Sequence, residues 1–212
     1  MSQHTVYPVL SEAFLPTESG RVWIKRTALC VVGVLALWLS AKIQIASVPV
    51  PVTLQMLVIM VIGAAYGPRL GAMTVAAYIA LGVKGVPVFA GTPENGVGLA
   101  YVLGPTGGYI LGFLFAAYVV GILARAGWDR SFFLTACAMV VGMLCVYVPG
   151  VIWLATGVTL FGSGGEGAVT GYGWSNWYSY GVKTFIWVDA LKLCIAVFAF
   201  PSMWRFVGHA RL

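Results

Sequence analysis

The residues best suited to do chemistry are an acid and a base three positions apart, Asp189 and Lys192, within the apolar stretch W-V-D-A-L-K-L-C. Three helical positions make nearly a full turn, so both side chains leave the same face, one above the other. At the centre of a bilayer each charge would cost roughly 2.5–3.5 kcal/mol on insertion scales. A pair kept there needs partners. It either holds helices together as an ion pair or marks a path for a polar solute. Little else in the chain suits catalysis. Its two histidines, His4 and His209, lie in the terminal segments. Cys30, Cys137, Cys145 and Cys194 sit singly in apolar runs without a C-x-x-C pair, and read as small buried hydrophobes. The apolar runs hold one carboxylate and no histidine. They can supply neither a carboxylate cluster for Mg²⁺ nor a Ser/His/Asp set, which argues against an enzyme. No cofactor is expected.

Two other segments carry polar groups at places where a helix must start. In I-A-S-V-P-V-P-V-T-L-Q-M, Pro49 and Pro51 stop one helix and hold the chain extended. Thr53 can cap the next helix, leaving Gln55 in its first turn as a donor and acceptor for a polar ligand, or as part of a plain loop and cap. In G-P-T-G-G-Y-I-L-G, Pro105 and Thr106 make a good helix start. Gly104, Gly108 and Gly112 recur every four residues and let another backbone approach. Alternatively, the bare N–H groups from Gly104 through Thr106, Gly107 and Gly108 face a ligand. No Gly-Lys-Ser/Thr follows, so the chain cannot bind and split ATP itself. Gly33, Ala36 and Ser40 form a small-residue stripe, suited to packing within a bundle or to docking a partner membrane subunit.

Composition dictates what must position these groups. Of 212 residues 60% are hydrophobic and 8% charged, with a mean hydropathy of +0.94. Soluble domains carry about 25% charge because water surrounds them. Long apolar runs with charges between them make an all-α integral membrane protein. Six runs are expected as spans: Val22–Ala41, Val52–Tyr66, Leu70–Val83, Thr106–Ala124, Phe132–Phe161 and Thr184–Trp204. The second and third are short and could form a re-entrant hairpin; six spans is the favoured count. Eight basic residues then fall on the inside (Arg21, Lys25, Arg26, Arg69, Arg125, Arg130, Arg205, Arg211) against Lys42, Lys84 and Lys183 outside, which places both termini inside. The net charge of +6 is therefore a topology signal, not a nucleic-acid surface. Residues 1–20 read as a cytoplasmic leader and 21–212 as a single membrane domain. Two outer connections are long: Lys84–Pro105, and Gly162–Lys183 with Tyr172, Trp174, Trp177, Tyr178 and Tyr180, aromatics suited to an interfacial belt or a gate.

V-P-V-P-V-T-L-Q (Val48–Gln55), G-V-P-V-F-A-G (Gly85–Gly91), G-P-T-G-G-Y (Gly104–Tyr109) and D-A-L-K (Asp189–Lys192), in that order, resemble the BioY family, the biotin-specific S components of energy-coupling-factor vitamin transporters. The resemblance runs from the first span to the last. It implies a six-helix bundle in a bacterial cell membrane, with an outward pocket for biotin. It also implies partnership with a transmembrane coupling subunit and two ATP-binding subunits. In the family the acidic and lysine residues of the last helix contribute to biotin binding, which carries over to Asp189 and Lys192. The polar loop residue between the third and fourth spans has its match in Asn95. Thr53, Gln55 and the Gly104–Gly108 backbone would add polar contacts, with Phe89 and Tyr109 packing on the rings. The rivals are an S component for another vitamin, such as riboflavin or thiamine, and an accessory helix bundle whose ion pair is only structural.

Overall fold

The computed structural model describes residues 7–14, 21–45, 50–93, 96–157 and 178–209. A short helix α1 (Leu10–Phe14) precedes the first long helix α2 (Val22–Lys42). Strands β1 (Gln44–Ile45) and β2 (Val52–Thr53) pair antiparallel, Gln44 opposite Thr53. Then come α3 (Gln55–Tyr66), α4 (Pro68–Val83), a short α5 (Leu99–Val102), α6 (Gly107–Arg125), α7 (Phe132–Ile152) and α8 (Thr184–His209). Among the described residues, four helical segments are long and apolar enough to cross a membrane: Val22–Lys42, Gly107–Arg125, Phe132–Thr156 and Gly181–Phe206. α3 and α4 are shorter, spanning about 18 and 24 Å at 1.5 Å per residue. They form a hairpin turned at Gly67, whose φ of 80° favours glycine, with Pro68 opening α4.

Helix α6 is the hub, because small residues let three neighbours approach. A methyl group added at Gly112 would lie 2.6 Å from Val146 Cα and 2.8 Å from the Cys145 carbonyl of α7. Gly63 of α3 meets the Ala117 backbone of α6, and Gly121 of α6 meets Pro68. The polarity is that of a membrane bundle. On α8, Phe185, Asp189, Lys192, Ala196 and Phe200 are buried at three- and four-residue spacing, while Trp187, Leu191 and Phe198 point outward.

The boundaries differ from the sequence expectation where proline and cross-strand pairing compete with apolar periodicity. The second run becomes helical only at Gln55, since Val52 and Thr53 pair with β1 instead. Leu54, not Thr53, holds the N-cap position, although Thr53 Oγ1 accepts the Gln55 N–H at 3.3 Å. α6 starts at Gly107, so Pro105 lies in the turn before it. α7 passes Pro149 and continues as a π-turn over Trp153–Gly157, and α8 runs on to His209. The leader is partly structured: Val9, Leu10 and Ala13 are buried. Glu12 accepts two bonds from Arg125, at 3.0 and 2.5 Å. Pro49, Asn95, Tyr172, Trp174 and Trp177 lie outside the described residues.

Candidate functional site

At the end of the bundle where α2 gives way to the β-hairpin, a small cavity is walled by that hairpin and by the α4–α6 connection. Val50, Pro51 and Thr53 come from the hairpin, Phe89, Ala90 and Tyr101 from the α4–α6 connection, and Gln55, Thr106 and Tyr109 from the ends of α3 and α6. Its volume is about 40 Å³, room for a few water molecules, against roughly 300–1,000 Å³ for typical small-molecule sites.

The charged pair of α8 stands directly behind this wall. Lys192 Nζ donates to Asp189 Oδ1 at 2.5 Å and to the Thr53 carbonyl at 2.5 Å. Asp189 Oδ2 accepts from the Tyr147 hydroxyl of α7 at 2.6 Å. Asp189 is 5% exposed and Lys192 7%, so the pair is desolvated and its partners matter. The protein supplies those partners itself, so a ligand is not needed to make the charges tolerable. An ammonium has three donors; two of them are used by described partners. Neither charge lines the cavity, and Thr53 is the residue that joins them to it.

A second polar chain crosses the cavity floor. Gln55 Nε2 donates to the Tyr78 hydroxyl at 2.7 Å, which donates to the Val88 carbonyl at 2.9 Å. Phe89 stacks on Tyr101 with ring centroids 4.8 Å apart and meets Tyr78 edge-on. Burial pushes the Tyr101 phenol above its ordinary 10.0, with a Thr106 hydrogen bond opposing, so it stays a neutral donor. Lys42 anchors the Phe89–Thr92 segment: its Nζ donates to the Phe89 carbonyl (3.3 Å), the Thr92 carbonyl (3.1 Å) and Thr92 Oγ1 (3.1 Å).

Of the residues singled out from sequence, Thr53, Gln55, Phe89, Thr106 and Tyr109 meet at the cavity. Asp189 and Lys192 join them through Thr53. Gly104, Gly107 and Gly108 do not line it. Gly108 packs against Pro149 and Trp153, Gly107 also faces Trp153, and the Gly104 carbonyl accepts from Trp153 Nε1 at 2.9 Å. Tyr109 donates to the Gly181 carbonyl at 3.0 Å. Gly33 and Ser40 turn into the bundle, Gly33 against Thr74 and Tyr66, while Ala36 is half-buried. Sequence reading missed Tyr147, Tyr78, Thr92 and Lys42. For Tyr147 the available signal was the single phenol in the apolar run Phe132–Phe161; for Lys42, a cation at a helix end counted only for topology.

The BioY family model matches residues 11–209. The chain belongs to the BioY family. This BioY chain is 35% identical over 158 residues to the probable biotin transporter BioY of Pyrococcus horikoshii, covering 74% of this chain and 83% of that one. It is 36% identical over 179 residues to the biotin transporter BioY of Thermotoga maritima, covering 80% and 86% respectively. The fold is similar to the crystal structure of the S-component for biotin from an ECF-type ABC transporter. That likeness has a TM-score of 0.67 and 24% identity, and covers 89% of this chain and 95% of that chain.

Proposed function

We propose that this chain captures biotin at the outer face of a bacterial cell membrane and serves its uptake as the substrate-binding S component of an energy-coupling-factor transporter. Likeness over most of the chain to relatives named biotin transporters carries the assignment, and the site chemistry agrees with it. Biotin presents a ureido ring with two N–H donors and one carbonyl, an apolar thiophane and a carboxylate. Asp189 is the acceptor for the ureido side. The remaining Lys192 donor serves the ureido oxygen or the carboxylate, and Phe89, Tyr101 and Tyr109 provide ring faces. Asn95 is the further loop contact implied by the family resemblance.

α2, α3, α4, α6, α7 and α8 all cross the membrane in this proposal, with both termini inside. The arrangement of charge supports it: Lys25, Arg26, Arg69 and Arg125 gather at one end of the bundle, and Lys42 sits at the other beside the cavity. Because the cavity is too small for the vitamin, biotin is admitted by release of the Phe89–Thr92 segment from Lys42, and that segment closes over it afterwards. Energy for release to the inside comes from a coupling subunit and two ATP-binding subunits.

Equilibrium binding of labelled biotin to the purified chain, with unlabelled biotin, riboflavin and thiamine as competitors, tests the ligand. Only biotin should compete. Displacement by either other vitamin at equal concentration would refute the assignment. Uptake by cells expressing the chain alone and then with the coupling module tests the partners.

A further inference from the structure

Far from the biotin cavity, a recess of about 930 Å³ opens between α2 and the α3–α4 hairpin. Its mouth carries Lys25, Arg26, Arg69 and Arg125, and Glu12 is the one acidic residue among the described residues lining it. Glu12 is already matched by Arg125. Arg26 is exposed on the second turn of α2 and Arg69 on the first turn of α4. Both helices point the positive ends of their dipoles at this mouth, and neither has a side-chain cap bond there.

Past the mouth the walls become apolar: Leu29 and Cys30 on α2, Leu70, Met73 and Ala77 on α4. From Val22 to Cys30 and from Arg69 to Ala77 the lining climbs eight positions, about 12 Å along each helix. Met73 is 65% exposed, so the slot stays open along its side. A soluble anion would use the mouth and leave the slot empty. A neutral lipid would use the slot and leave the guanidinium groups unmatched. An amphiphile with an anionic head and a hydrocarbon chain satisfies both, with the planar guanidinium forks suited to a phosphodiester.

We infer that this recess holds one anionic phospholipid, its phosphodiester between Arg26 and Arg69 and the start of an acyl chain between α2 and α4. The site is independent of the solute bound at the other end of the bundle.

The test is native mass spectrometry of the full chain in neutral detergent, titrated with phosphatidylglycerol or phosphatidylcholine, with thermal melts in inorganic phosphate and glycerol 3-phosphate alongside. Phosphatidylglycerol should be retained as one tight copy in preference to phosphatidylcholine, and the soluble phosphates should not raise the melt. Arg26→Gln and Arg69→Gln should each weaken that copy about fivefold, the effect of one basic residue at an anionic membrane surface. Ala77→Trp, which fills the slot without changing charge, should weaken it as well. Equal retention of both lipids, an undiminished copy in Arg26→Gln/Arg69→Gln, or stabilisation by glycerol 3-phosphate matching that by the lipid would overturn the assignment. A sharp melt of each variant shows that it is folded, without reference to biotin.

Discussion

Neutralising the buried pair of α8 in two steps separates its structural role from the role proposed for it toward biotin. Lys192→Met keeps the length and apolar stem of the side chain but leaves the Asp189 carboxylate with the Tyr147 hydroxyl as its remaining partner. Asp189→Asn leaves the ammonium on the Thr53 carbonyl without its counter-charge. Removing one member of a buried pair costs about 3–5 kcal/mol, because the other charge stays desolvated. For a chain of this length that corresponds to a drop of roughly 6–20 °C in melting temperature. The double variant Asp189→Asn/Lys192→Met buries no charge, and the Tyr147 hydroxyl can still donate to the Asn oxygen. It should melt within a few degrees of the wild type. Binding should not recover with it. A hydrogen bond from a charged donor is worth about 1.5–3 kcal/mol, so Kd for biotin should stay about ten- to a hundredfold weaker in the double variant. Dye-monitored melts and equilibrium dialysis with labelled biotin give the two readouts on one preparation. If the double variant regains both its melting temperature and wild-type affinity, the pair serves only to hold α8 in place.

Three further outcomes are expected. Lys42→Met removes the donor that joins the hairpin end of α2 to Phe89 and Thr92; biotin should leave about tenfold faster, as one charged hydrogen bond is worth, which a chase with excess unlabelled ligand would measure. Gly112→Ala forces a methyl to 2.6 Å from Val146 Cα, so α6 and α7 must part at a cost of about 1–3 kcal/mol, read as a lower melting temperature than that of the wild type. Asp129, in the turn between α6 and α7, is 2% exposed with Oδ1 unmatched and Oδ2 accepting from Trp204 Nε1 at 2.6 Å. Burial raises its pKa above the ordinary 3.8, while Trp204 and the nearby Arg130 oppose this. The folded state therefore binds the proton more tightly than the unfolded chain, and the stability from the neutral acid is full below 3.8 and lost as pH rises through the raised value. Asp129→Asn should flatten that slope in melts taken from acid to neutral pH; an unchanged slope would exclude Asp129 as its source.

Arg130 shows why the end of the bundle at the α6–α7 turn needed a folded chain to be understood. Its guanidinium lies 4.5 Å from the Tyr7 ring centre and 4.1 Å from that of Trp204, tying the start of the chain to the α6–α7 turn and the end of α8. In the sequence Arg130 counts only as one more inside charge.

What the sequence alone determined follows from local rules. Long apolar runs must become helices in a bilayer, since every backbone polar group has to be satisfied within its own segment. Asp189 and Lys192 had to share a face because the helical repeat is set within one turn. Glycine at Gly67 marked the α3–α4 turn for the same kind of reason. What the tertiary structure decided is which distant groups those faces meet. Tyr147 reaches Asp189 across 42 positions, Lys42 reaches Thr92 across 50, and Lys192 reaches Thr53 across 139. No periodicity encodes such pairings. They depend on how closely the glycines of α6 let its neighbours approach, and on the proline-rich segment choosing a strand beside α2 over one more turn of helix.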